Sequence, residues 1–174
     1  MKKIVLLLFA VCATLSVDAQ VYAGGSFGFW HNDDADQTSF AILPEIGFVL
    51  NEQVAVGADF GYFSEELGVG NVKNTAFVIA PYVRYGFLSN EVVSLFVDGT
   101  VGYAKWDELD TDGFQAGIKP GVIVKLTDQF SLVTKLGFAG YRDDYYSPIG
   151  DEGGNGFGLS LAGRDLSFGF VVHF

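Results

Sequence analysis

Apolar and polar positions alternate through eight stretches of the chain, at about residues 21–30, 39–50, 53–64, 74–87, 92–105, 114–126, 130–141 and 163–174. A period of two is the repeat of a β-strand with two different faces. So high a strand content would be abnormal in an ordinary soluble domain. It is what a closed sheet in a membrane requires, because every backbone group exposed to lipid has to find its partner within the sheet. The connections alternate too. Those at 51–53, 88–91 and 127–129 are short, whereas those at 31–38, 65–73, 107–113 and 142–162 are longer and mostly acidic. Short turns at one end and long loops at the other predict an all-β, eight-stranded antiparallel up-and-down transmembrane β-barrel.

One face of each stretch is free of charge. It runs from Val21, Ala23, Gly25, Phe27 and Phe29 through Phe40, Ile42, Pro44, Ile46 and Phe48 to Leu166, Phe168, Phe170, Val172 and Phe174, with the same pattern in the strands between. In the seventh stretch this face reads Phe130, Leu132, Thr134, Leu136, Phe138 and Gly140. The opposite face carries Glu45, Asp59, Arg84, Asp98, Lys119, Lys125 and Lys135. A charge on the lipid face of a barrel costs ~2–4 kcal/mol at mid-bilayer, which gives the segregation a physical cause. Aromatic side chains recur at both ends of the apolar face. Phe40, Tyr62, Phe77, Tyr103, Phe114 and Phe138 stand near the long loops, and Phe48, Tyr85, Phe130 and Phe174 near the short turns. Rings at both headgroup levels are expected of such a barrel.

The inward charges balance three against three: Glu45, Asp59 and Asp98 face Arg84, Lys119 and Lys135, with Lys125 near the rim. An interior bounded by eight strands is only wide enough for side chains to fill. Charges confined there have to be paired and hydrogen-bonded. Three pairs across the lumen are therefore expected to plug it; the opposing reading is a water-filled channel in which they never meet. Pro44, Pro81 and Pro120 interrupt strands two, four and six, in a loose repeat that matches Phe40 to Phe48 with Phe77 to Tyr85. Proline lacks the ladder's donor, so a local bulge is expected at each.

Residues 1–19 have the form of a secretory leader. Lys2 and Lys3 precede the apolar run from Ile4 to Leu15, and Val17 and Ala19 put small residues at the −3 and −1 positions. Cleavage is expected between Ala19 and Gln20, leaving the barrel domain at 20–174. Cys12, the one cysteine, falls inside the leader. The net charge of −11 excludes a nucleic-acid partner, which requires a basic face.

The last eight residues read Ser167-Phe168-Gly169-Phe170-Val171-Val172-His173-Phe174. This segment resembles the C-terminal assembly signal of outer-membrane barrels. The match rests on polar Ser167, on Gly169 two places on, then on apolar Val172 and on aromatic Phe174 as the last residue. With the leader and the eight strands, the chain resembles the eight-stranded bacterial outer-membrane β-barrel family. It is similar in plan to the transmembrane domain of outer membrane protein A and to the small surface barrels X and W. The resemblance implies a Gram-negative outer membrane, with that membrane's lipid and its barrel assembly machinery as partners.

Candidate chemistry is sparse. Asp107 to Gly113 looks like the start of a calcium loop, but Lys119 falls at the twelfth position, where a bidentate carboxylate belongs. The glycines at 153–158 lack the flanking strand and helix of a phosphate cradle. His31 and His173 belong to opposite ends of the barrel, and no spacing singles out His31, Asp33 and Ser39 as a hydrolytic set. The sequence therefore points to a non-enzymatic barrel with a plugged polar lumen and acidic surface loops, without cofactor or metal, in a structural or surface-contact role. The alternative is a narrow channel for small or apolar solutes.

Overall fold

A computed structural model describes residues 20–32, 37–67, 72–107, 111–145, 156–161 and 165–174. The leader expected at 1–19, much of the acidic long loops, the calcium-loop residues Glu108 to Asp110 and the start of the eighth stretch at 163–164 lie outside them. The described residues form ten strands. These are β1 (Gln20–Asn32), β2 (Gln37–Val49), β3 (Val54–Leu67), β4 (Val72–Ser89), β5 (Val93–Trp106), β6 (Thr111–Lys125), β7 (Phe130–Leu136), β8 (Phe138–Asp143), β9 (Gly156–Ser160) and β10 (Leu166–His173). Each consecutive pair from β1 to β7 is antiparallel, β7 pairs with β10, and β10 pairs with β1, which closes the ring. β8 continues β7 and pairs with β6, and β9 continues β10 and pairs with β8. The ten segments thus make eight barrel strands.

The three short turns share one device. The side chain of Asn51 accepts from the N–H groups of Gln53 and Val54 at 2.9 Å each, and Asn90 does the same for Val92 and Val93 at 2.9 and 2.7 Å. Thr127 Oγ1 accepts from Gln129 and Phe130 at 3.3 and 3.0 Å. Asn and Thr favour such turns because their side-chain oxygens replace backbone acceptors locally. At the same end Phe174 N–H donates to Val21 C=O at 2.9 Å, tying the last residue to the first strand.

Where side chains are described, the alternation expected of the sequence holds from β1 to β7. Ile42, Ile46, Tyr62, Phe77, Ile79 and Val83 are exposed on the outside, while Tyr22, Glu45, Asp59, Val78, Tyr82 and Arg84 are buried. The seventh strand departs from it. β7 pairs with β6 as Gly121↔Lys135, but β8 pairs as Ile118↔Ala139, one residue out of step. The slip at Gly137 turns Phe138 and Gly140 inward, and Phe138 is 2% exposed. Their expected outward position, and the place of Phe138 in the aromatic girdle, are therefore corrected. Two glycines make room for the inward ring: Gly117 faces Gly140 across the β6–β8 ladder, and a Cβ on Gly117 would stand 2.7 Å from the Phe138 ring.

The prolines are accommodated more simply than bulges would allow. Pro44 pairs with Gly25, but β2–β3 pairing skips from Ile42↔Tyr62 to Glu45↔Asp59 and resumes in the same register. Pro81 pairs with Ala58, and β4–β5 pairing skips from Ile79↔Tyr103 to Tyr82↔Thr100, again in register. Only at Pro120, which pairs with Val97, does the skipped side coincide with a shift, the one opposite Gly137. Each ring removes its donor on one side of the strand only, so the other ladder is untouched. At Pro81 the freed carbonyl accepts from Thr100 Oγ1 at 3.1 Å. The β-bulge in this region falls instead between Gly86 and Leu88.

The lumen is packed in layers. Nearest the short turns lie Tyr22, Ala55, Tyr82, Phe96, Val133 and Val171. Nearest the long loops, Val78, Ala104 and Tyr145 pack together, with Phe63 against them. Inward glycines receive the rings: a Cβ on Gly47 would sit 2.2 Å from the Tyr22 ring, on Gly121 2.3 Å from Phe96, and on Gly102 2.6 Å from the Tyr145 hydroxyl. Gly47→Val should displace Tyr22 and break its 2.7 Å hydroxyl contact with Tyr82. Overpacking of this kind costs ~1–3 kcal/mol, and a lower urea midpoint for the refolded variant would register it.

Candidate functional site

Between the two apolar layers lies a belt of charge. Arg84 and Asp98 are register partners on β4 and β5, and the guanidinium grips the carboxylate at both oxygens, Nε to Oδ1 at 2.8 Å and Nη2 to Oδ2 at 2.9 Å. Glu45 and Asp59 are register partners on β2 and β3. Lys135 reaches both from across the lumen, donating to Asp59 at 2.7 and 2.9 Å and to Glu45 Oε2 at 3.2 Å. Arg84 Nη1 stands 3.9 Å from Glu45 Oε1, and Lys135 stands 4.0 Å from Asp98, which joins the two groups into one network. All five side chains are buried. The apolar layer below supplies aromatic faces: the Arg84 guanidinium lies 4.2 Å from the Phe96 ring centre and 5.0 Å from Tyr82. Such stacking suits a weakly hydrated, planar cation.

The expected three pairs are not what forms. Lys119 is the register partner of Asp98 on β6, yet Asp98 has committed both oxygens to Arg84. Among the described residues no carboxylate lies within ion-pair distance of Lys119, which draws on Asp59 and Asp165 at longer range. The cluster proper is three carboxylates to two cations. A second group, missed in the sequence, lies towards the long loops. Arg142 on β8 forks onto Asp165, with Nη1 to Oδ2 at 3.1 Å and Nη2 close against Oδ1. Ser160 also donates to Asp165, Arg142 Nε donates to Gln115 Oε1 at 3.2 Å, and the guanidinium lies 3.8 Å over the Phe138 ring. The sequence pattern puts Arg142 at the start of the last long loop, whereas the strand continues through it and the slip at Gly137 turns it inward on β8. Asp165 could have been found from its parity, opposite to that of Leu166. With this group included, Glu45, Asp59, Asp98 and Asp165 balance Arg84, Lys119, Lys135 and Arg142, as neutrality in a desolvated interior requires.

Among the described residues no three His, Cys, Asp or Glu side chains are arranged to hold a metal ion. A cavity of about 20 Å³ lies beside the belt, between Ser26, Glu45, Lys135 and Ser167. That is room for about one water molecule.

The four residues of the C-terminal segment have structural places of their own. Gly169 pairs with Ser26, and a Cβ there would stand 2.5 Å from Gly25 C=O, so the β1–β10 seam needs a glycine. Ser167 is half-buried beside the cavity, Val172 pairs with Ala23, and Phe174 is exposed at the short-turn rim. Phe174→Ala leaves the ladder intact and should still lower the amount of folded barrel in cells. Lys105→Ala, at an exposed ion pair with Asp112 at 3.3 Å, should not. Immunoblots of outer-membrane fractions compare the two.

The sheet closes on itself as an eight-stranded antiparallel barrel, with Glu45, Asp59, Arg84, Asp98 and Lys135 buried within and apolar side chains such as Ile79, Val83 and Phe170 exposed outside. Among solved structures the chain is similar to the Neisserial surface protein A (NspA), at 15% identity and a TM-score of 0.48, over 90% of this chain and 96% of that one. It is also similar to OmpT, an outer membrane protein of Vibrio cholerae, at 14% identity and a TM-score of 0.37; there the chain spans 51% of the other's length. Likeness at this level concerns overall arrangement and says nothing of what this chain does. No protein-family model and no curated protein matches the sequence.

Proposed function

We propose that this chain is a non-enzymatic, integral outer-membrane barrel whose lumen is closed along its axis, acting as a structural or surface-contact element through acidic loops. The observation that carries this reading is the charge belt. Arg84, Lys135 and three carboxylates meet across the interior, with packed aromatic layers above and below. A conducting pore needs a continuous wet path, and this arrangement supports a plug. The lipid partner is inferred from the outer face, where Phe77, Ile79, Val83, Tyr85, Val101 and Phe170 stand exposed without a charge among them. In water such a surface would be an aggregation liability; in a bilayer it is a solvation shell. The barrel assembly machinery is a proposed partner through Ser167, Gly169, Val172 and Phe174, and residues 1–19 are proposed to be removed on export.

Cell fractionation combined with detergent gels tests the membrane assignment. The protein should be found in the outer membrane and should migrate differently before and after boiling, because folded barrels resist unfolding. Recovery as a soluble periplasmic species would defeat the reading.

A further inference from the structure

The inner face changes character where the β1–β10 ladder ends. The last pair of that ladder is Ser26↔Gly169. Ser26 on β1 and Ser167 on β10 are half-buried there, beside Glu45 and Lys135 of the belt. Among the described residues neither hydroxyl has a hydrogen-bond partner. Glu45 Oε2 accepts from Lys135 at 3.2 Å. Glu45 Oε1 is buried without a hydrogen-bond partner among the described residues, and Arg84 Nη1 stands 3.9 Å from it. A buried acceptor left without a donor is costly.

The cavity between these groups has the size and the lining for one small molecule. Its volume of about 20 Å³ exceeds the ~10–15 Å³ that a single water needs. A buried water also needs two to four polar partners, and Ser26, Ser167, Glu45 and Lys135 all line this space. Their charges narrow the choice of occupant. The Lys135 ammonium repels a cation and the Glu45 carboxylate repels an anion, so a neutral molecule is favoured. A carboxylate oxygen only accepts, whereas a hydroxyl both donates and accepts. The occupant therefore has to do both.

We propose that this cavity binds one ordered water, which donates to Glu45 Oε1 and exchanges hydrogen bonds with the Ser26 and Ser167 hydroxyls. The water links β1 to β10 one step beyond their last backbone pair and fixes Glu45 within the belt. The site rests on the closed-lumen reading, since a continuous column of solvent would leave no distinct molecule to bind.

Crystals of the refolded wild-type barrel, and of a double variant with Ser26→Ala and Ser167→Ala, test the site at a resolution that shows ordered water. The wild type should show one peak within about 3 Å of a serine hydroxyl and of the Glu45 carboxylate, and the double variant should lack it. Urea unfolding of both single variants and the double gives a second readout. Each single change should lower the folding constant about fivefold. The double change should lower it by much the same factor, because both serines act through one molecule. A wild-type cavity without density, in a map that resolves water elsewhere on the protein, would overturn the proposal. So would anomalous signal at the peak after a rubidium soak, which would make the occupant a cation, or two losses that multiply in the double variant. A file of water from rim to rim would defeat the closed lumen as well, whereas a dry cavity in a packed lumen defeats the site alone.

Discussion

Replacing Arg84 by alanine should lower the stability of the refolded barrel by about 3–5 kcal/mol, the usual cost of leaving a buried partner charge uncompensated. Asp98 loses both of its short contacts, at 2.8 and 2.9 Å, and has Lys135 only at 4.0 Å to fall back on. Glu45 loses the neighbouring cation at 3.9 Å. Removing Asp98 as well should recover a large part of the loss, because an apolar pair of similar volume replaces a buried ion pair at little cost. Arg84→Met with Asp98→Leu is the informative double variant, as the Phe96 and Tyr82 rings already supply an apolar setting. Urea unfolding in lipid vesicles, followed by gel mobility, measures all three proteins. Equal stability of wild type, single and double variants would show that the belt contributes nothing.

Gly24→Val should prevent closure of the barrel. A Cβ at residue 24 would stand 2.1 Å from Phe170 C=O and 2.9 Å from Val171 Cα, both backbone atoms of the strand that closes the ring. Backbone cannot give way as a flexible side-chain end can, and the seam with β10 has no other ladder to fall back on among the described residues. The folded band on an unboiled gel should be lost. Gly156→Val is the matched comparison, since among the described residues nothing lies within 4 Å of its added carbon, and its folded band should persist. Similar behaviour of the two variants would contradict the seam geometry.

The strands and their faces were legible because period two survives any number of local irregularities that preserve parity. The skipped pairs at Pro44 and Pro81 are of that kind: the register resumes, and Glu45 and Tyr82 remain inward. A one-residue slip is different, because it exchanges the faces of everything beyond it. Nothing marks Gly137 in the sequence except that it is one of 23 glycines. Phe138 and Gly140 change face for that single reason, and Arg142, beyond the end of the alternating stretch, turns inward with them. The membership of the charge belt was read from parity. The pairing was not, because Arg84 takes both oxygens of Asp98 and leaves Lys119, equally in register, without a close carboxylate among the described residues. Choice between two register partners depends on side-chain geometry, which alternation does not encode.

Single-channel conductance of the refolded wild-type protein in a planar bilayer tests the closed lumen most directly. With Lys135 bound to Asp59 and Glu45, Arg84 bound to Asp98, and packed rings on either side, insertion should leave the current at baseline. Steady, ion-selective conductance from protein that retains its folded gel mobility would contradict the plug.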